Sequence, residues 1–117
     1  KDVMKTKRSV PLIYASKKVS HAILEMTSKG EGCVGVLSKK GELVGIITDG
    51  DLRRHMCTKL LDKRVIDIMT RNPKTLRPTT LVSEALKLMN ERSITNYFIT
   101  EKKKPVGIIH MHDILRK

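Results

Sequence analysis

Val44-Gly45-Ile46-Ile47-Thr48-Asp49-Gly50-Asp51-Leu52-Arg53-Arg54 recurs as Val106-Gly107-Ile108-Ile109-His110-Met111-His112-Asp113-Ile114-Leu115-Arg116, at a constant offset of 62 residues (44 to 106). In the first copy Thr48 ends a strand-like apolar run, and Asp51 stands three residues on, where a helix begins. Upstream, Val19-Ser20-His21-Ala22-Ile23 reappears as Val82-Ser83-Glu84-Ala85-Leu86, and Val3-Met4 as Ile68-Met69. A chain of about 60 residues buries only about 60% of its unfolded surface, so each half is marginal alone. Two such halves must complete one another, and the expected seam between them is a place for a ligand.

Working outward, each half begins with an apolar stripe at helical spacing: Val19, Ala22, Ile23 and Met26, then Val82, Ala85, Leu86 and Met89. Ser16 and Thr79, three residues before each valine, are the expected N-caps. Two β-rich runs follow. Cys33 to Leu37 and Leu43 to Thr48 flank a turn in which Gly41 supplies a positive φ. Asn96 to Thr100 and Val106 to Ile109 flank the solvated tip Glu101-Lys102-Lys103-Lys104-Pro105. Closing helices are expected from about Asp49 to Leu60 and from about Met111 to Arg116, with short leading strands near Pro11 to Tyr14 and Thr75 to Arg77. The unit is β-α-β-β-α, twice, in an α+β fold with repeats at 1–64 and 65–117.

Composition narrows the function. Apolar content is 39%, but Tyr14, Tyr97 and Phe98 are the only aromatics, so Ile, Leu, Val and Met must fill the core. No apolar run approaches the roughly 20 residues a bilayer-spanning helix needs, and no signal peptide is evident, so the expectation is a cytoplasmic protein with no membrane partner. Cys33 and Cys57 lack metal or disulfide spacing and read as buried thiols. A net charge of +12 favours anionic partners. The basic residues are spread along the chain without interleaved aromatics, so nucleic acid is not the expected partner. The chain starts without Met in a segment that already matches the second repeat, and reads as a piece of a longer protein.

The ordered pair of Asp-apolar-Met openings (Asp2-Val3-Met4, Asp67-Ile68-Met69), apolar-faced helices and Gly-apolar-apolar-Thr-x-x-Asp closings resembles the CBS-domain pair, or Bateman module, over essentially the whole chain. Gly30-Glu31-Gly32, Gly45 to Arg54, Arg92-Ser93-Ile94-Thr95 and His110 to Arg116 are more narrowly similar to the arabinose-5-phosphate isomerase family. That likeness implies an N-terminal sugar-isomerase (SIS) domain in the full chain, interconversion of ribulose 5-phosphate and arabinose 5-phosphate toward the lipopolysaccharide sugar Kdo, and a fragment that is itself non-catalytic.

At the seam, a hydroxyl and a carboxylate three residues apart at a helix start can serve a nucleotide: N–H groups and hydroxyl toward phosphate, carboxylate toward two ribose hydroxyls. The resemblance assigns that clamp to Thr48 and Asp51. The same Thr-x-x-acid pattern is also a capping box, which needs no ligand, and both readings stand. In the second copy His110 replaces the threonine, Asp113 remains, and an imidazole donates better to phosphate when protonated. Arg53 and Arg54 can take phosphate or carboxylate bidentately, or lie on a solvated face. Gly30 and Gly32 flank the entry to a strand and would let the backbone approach a ligand closely, while a C-terminal helix stop explains Gly30 just as well. Thr95, Asn96 and Tyr97 can line a base or sugar pocket. His110-x-His112 has no evident third ligand, and no metal is assigned. His21 and His55 lie on helices without evident partners. No nucleophile–base pair or phosphate-binding Gly-rich loop appears.

The sequence thus leads to a regulatory module with no required cofactor that binds a nucleotide or nucleotide-sugar effector (CMP-Kdo, AMP or ATP). Its expected partners are the SIS domain and a second copy, as a homodimer or tetramer. The alternatives are a dimerisation scaffold without ligand, or an adenine-nucleotide sensor in another protein.

Overall fold

The computed structural model describes residues 4–6, 10–30, 32–77, 84, 87 and 96–110. In chain order its elements are β1 (Met4–Thr6), β2 (Leu12–Tyr14), α1 (Val19–Lys29), β3 (Cys33–Leu37), β4 (Leu43–Thr48), α2 (Asp49–Arg54), α3 (Val65–Ile68), β5 (Thr70–Arg71), β6 (Thr75–Leu76), β7 (Asn96–Glu101) and β8 (Lys104–His110). Two compact units result: 11–73, and 1–10 together with 74–117. Mixed sheets and short helices make this an α+β protein.

In the unit 11–73 the sheet order is β2-β3-β4-β5. β2 and β3 run parallel, joined through α1, because a parallel pair needs a crossover and a helix is the usual way to make one. β3 is buried along its whole length, so Cys33 to Leu37 shows no apolar–polar alternation, as befits an inner strand. β3 and β4 form a hairpin turned by Gly41 at φ 82°, where a side chain would be strained. Val19, Ala22 and Met26 of α1 meet Val34, Val36 and Ile47 of the sheet, closed by Leu60, Val65 and Ile68. Burying each large apolar side chain stabilises the fold by about 1.5–3 kcal/mol.

The unit built on β6 to β8 repeats this plan. Its order is β1-β8-β7-β6, with β6 and β7 parallel and the other pairs antiparallel. The register slips at Ile99/Thr100, as it does at Val36/Leu37 in the other hairpin. Its tip is a two-residue turn in which Lys102 and Lys103 both have positive φ, 53° and 69°. That is the type I′ geometry matching strand twist, built without glycine. The segment opening each sequence repeat supplies the fourth strand of the other unit: β1 pairs with β8, and β5 with β4.

Three local expectations are corrected. Ser16 does not cap α1. The N-cap is Lys18 and makes no side-chain bond; the Val19 N–H instead donates to the Lys63 carbonyl at 2.8 Å, and Arg64 holds the Ser16 carbonyl at 2.9 Å. A backbone partner from 63–64 has replaced the cap. The helix expected over 49–60 stops at Arg54, followed by a turn and a 3-10 segment at Leu60–Asp62. Residues 55–59 offer no apolar side chain to the core, and Met56 is exposed. Cys57 is exposed too; of the two cysteines only Cys33 is buried. Of the expected helix at 82–89, Glu84 and Lys87 are helical; the rest of it, Thr79 and the closing helix at 111–116 lie outside the described residues.

The β4–β5 contact depends on Gly45. A Cβ there would stand 2.5 Å from Met69 Sδ and 3.0 Å from the Thr70 carbonyl oxygen. Gly45→Ala is therefore expected to lower stability by about 1–3 kcal/mol through overpacking, measured by urea unfolding. An unchanged midpoint would show that β5 is not held against β4.

Candidate ligand site

Asp51 is 3% exposed, the one charged residue buried among those described. It reaches this state because α2 starts at the end of β4, turning the third helical position back toward the strand. Its Oδ2 accepts from the Thr48 N–H at 2.9 Å and from Thr48 Oγ1 at 3.2 Å, while Thr48 Oγ1 accepts from the Asp51 N–H at 3.3 Å. This is a complete capping box. Oδ1 accepts from Arg54 Nη2 and, across the sheet, from Thr70 Oγ1 at 2.8 Å. A carboxylate offers about four acceptor positions, and four donors occupy them. In this state Thr48 and Asp51 hold each other, the helix and β5.

A cavity of the unit 11–73 lies at the other end of its sheet. About 510 Å³ in volume and mainly apolar, it is lined by Tyr14, Ala15 and Ser16 at the end of β2, Leu37, Ser38 and Lys39 at the end of β3, Val44 of β4, and Ile66, Met69 and Arg71. The parallel strands β2 and β3 both end here, with Tyr14 beside Leu37. In open sheets with parallel strands, ligands favour the carboxyl ends. Ring-sized apolar walls with Ser16, Ser38, Lys39 and Arg71 beside them suit a ligand with a flat apolar body and a negatively charged group. A smaller recess of about 230 Å³, lined by Ile23, Met26, Thr27, Gly30, Asp49 and Leu52, lies beside α2.

The structure places the remaining sequence candidates as follows. Arg53 is exposed on α2, and Arg54, also exposed, is committed to Asp51. Asn96 and His110 are backbone register partners of β7 and β8. Thr95, His112 and Asp113 lie outside the described residues. Gly30 is the C-cap of α1 at φ 68°, its N–H bonded back to the last turn. Gly32 does not mark a close approach, since a Cβ there would meet only Asp49 Oδ2, at 3.6 Å. His21 is exposed and His55 half-buried. Tyr97 is buried, and its hydroxyl is, among the described residues, the buried side-chain oxygen without a hydrogen-bond partner.

The cavity itself was not among the sequence candidates. The signal available was positional: Ala15-Ser16 and Ser38-Lys39 each follow a strand, but only the parallel pairing of β2 with β3 brings the two pairs together.

A two-repeat α+β chain with this strand plan defines a class. The CBS domain model matches residues 1–57 and 65–117, and the chain belongs to the CBS-domain family. Among curated relatives, it is 40% identical over 119 residues to arabinose 5-phosphate isomerase KdsD of Pseudomonas aeruginosa and 35% identical over 117 residues to KdsD of Escherichia coli K12. It is 39% identical over 115 residues to the uncharacterized protein RP505 of Rickettsia prowazekii. Each alignment covers 98% of this chain but 36% of the relative. Among solved structures, CBSX2 in complex with AMP superposes with a TM-score of 0.83 at 24% identity, covering 98% of this chain and 91% of that one. An uncharacterized conserved protein from Pyrococcus horikoshii gives a TM-score of 0.80 at 30% identity, covering 95% and 86%.

The capping box stabilises the fold without a ligand. Asp51→Ala is expected to cost about 1–3 kcal/mol in ligand-free protein, because the Thr48 and Thr70 donors lose their acceptor. Chemical denaturation reads this directly, and wild-type stability in the variant would remove the box as a structural element.

Proposed function

We propose that this CBS pair is the effector-sensing part of a D-arabinose 5-phosphate isomerase of lipopolysaccharide (Kdo) biosynthesis. It takes a nucleotide or nucleotide-sugar and biases a sugar-isomerase (SIS) domain in the full cytoplasmic chain. The observation carrying this reading is the apolar cavity of about 510 Å³ with Lys39 and Arg71 among its lining residues. Relatives named as the isomerase and a structural neighbour solved with AMP support the reading from outside. The base or sugar ring packs on Tyr14, Leu37, Val44 and Met69, and the anionic group meets Arg71 and Lys39. In the second repeat His110, Asp113, Thr95 and Asn96 are the contacts of a site of that repeat's own, and in the first Arg53 is an exposed cation on α2. Thr48 and Asp51 form a separate clamp at the α2 end of the sheet, which takes ligand hydroxyls by exchanging its present partners.

A second reading, association with another copy, is favoured by one observation. Leu24 of α1, Met56 and Leu61 are 66%, 67% and 53% exposed, and α1 packs beside the 3-10 segment that carries Leu61. Large exposed apolar side chains on adjoining elements suit a self-complementary contact.

Isothermal titration with CMP-Kdo, CMP, AMP and ATP tests the first reading. At least one is expected to bind, and Arg71→Ala to weaken it about 10-fold, the loss of one charge-assisted contact. No heat from all four would overturn it. For the second, sedimentation of ligand-free protein is expected to show a dimer that Leu24→Glu converts to monomer. A wild-type monomer at high concentration would exclude self-association.

A further inference from the structure

Strand β5 belongs to two sites at once. Side chains alternate across a strand. Met69 and Arg71 line the cavity, while the intervening Thr70 hydroxyl donates to Asp51 Oδ1 at 2.8 Å. The strand is only two residues long and pairs with β4 through Gly45↔Arg71 and Ile46↔Thr70. So short a ladder is weak by itself. The missing side chain at Gly45 lets the Met69 thioether lie against β4, and the bond to a buried carboxylate ties the strand to the start of α2.

We infer that Thr70 is a positioning residue, coupling the wall of the cavity to the Asp51 carboxylate so that the two respond as one unit. A ligand packed on Met69 and Arg71 holds β5 in register and reinforces the Thr70–Asp51 bond. A ligand whose hydroxyls take Asp51 Oδ1 must displace Thr70, which releases β5 and loosens the cavity wall. Occupancy of the cavity and occupancy of the carboxylate therefore oppose each other, and linkage makes that opposition reciprocal. The ligand half of this inference rests on the cavity being an effector site; the tie between Thr70 and the wall does not.

The test compares wild type, Thr70→Val and Thr70→Ser in the whole chain. Without ligand, hydrogen exchange of the amides at 69–72 is expected to be about 10-fold faster in Thr70→Val, near wild type in Thr70→Ser, and unchanged in β7 of the other unit. With AMP as probe, Thr70→Val is expected to bind about 3- to 10-fold more weakly although Thr70 is not a lining residue, and Thr70→Ser to restore affinity. Wild-type exchange at 69–72 in Thr70→Val, or equal AMP affinity in Thr70→Val and wild type, would overturn the coupling. If AMP fails to bind even wild type, AMP is lost as an effector, and the exchange comparison alone decides the link between Thr70 and the wall.

Discussion

The buried Asp51 carboxylate organises much of the unit 11–73. It sits where β4 turns into α2, and its donors come from three places: the end of the strand, the helix, and β5, nineteen residues further on. A carboxylate removed from water is tolerated only when its oxygens are satisfied by hydrogen bonds. Here that requirement acts as a geometric constraint. The strand must end at Thr48, the helix must begin at once, and the opening segment of the second sequence repeat must come back beside Gly45. The partner guanidinium is 65% exposed and screened by solvent, so the main-chain donor and the two hydroxyls do more than Arg54 to set the geometry.

The exchange of opening segments follows from the same economy of small units. A three-stranded sheet with one crossover helix leaves the outer edge of β4 unpaired, and an exposed edge invites association. β5 covers it, as β1 covers the edge of β8 in the other unit. The chain repeats at 1–57 and 65–117, while the compact units are 11–73 and the rest. Sequence repetition reports ancestry of the parts, and the hydrogen-bond ladder decides where each part resides.

Much of this was legible beforehand. The strands Cys33–Leu37 and Leu43–Thr48, the buried face of α1 at Val19, Ala22 and Met26 and the positive φ of Gly41 follow from periodicity and turn chemistry, which are local signals. The failures were non-local. Ser16 looks like a cap until the Lys63 carbonyl takes the N–H it would have served. The helix after Asp49 looks longer until burial is known, since Leu52 is half-buried while residues 56–59 face solvent. The site divides the same way. Thr48 and Asp51 were visible through their spacing, but the sequence left open whether they serve a ligand or the helix, and the structure shows the second use. The cavity needed strand order, because its walls come from five separate stretches between Tyr14 and Arg71.

These two uses of Asp51 need not exclude each other. A capping box can be exchanged for ligand hydroxyls if the new acceptor–donor set matches the old one, because the carboxylate stays satisfied throughout. What changes is the group left without its acceptor. Thr48 Oγ1 and Arg54 can turn to a phosphate, but Thr70 has only the edge of β4 to fall back on, with two register pairs. The free energy difference between occupied and empty states therefore falls on β5, which also carries Arg71 and follows directly on Met69. A short edge strand, held by one hydroxyl on one side and lining a cavity on the other, is marginal enough to respond to a ligand worth a few kcal/mol, whereas β3 at the centre of the sheet is not.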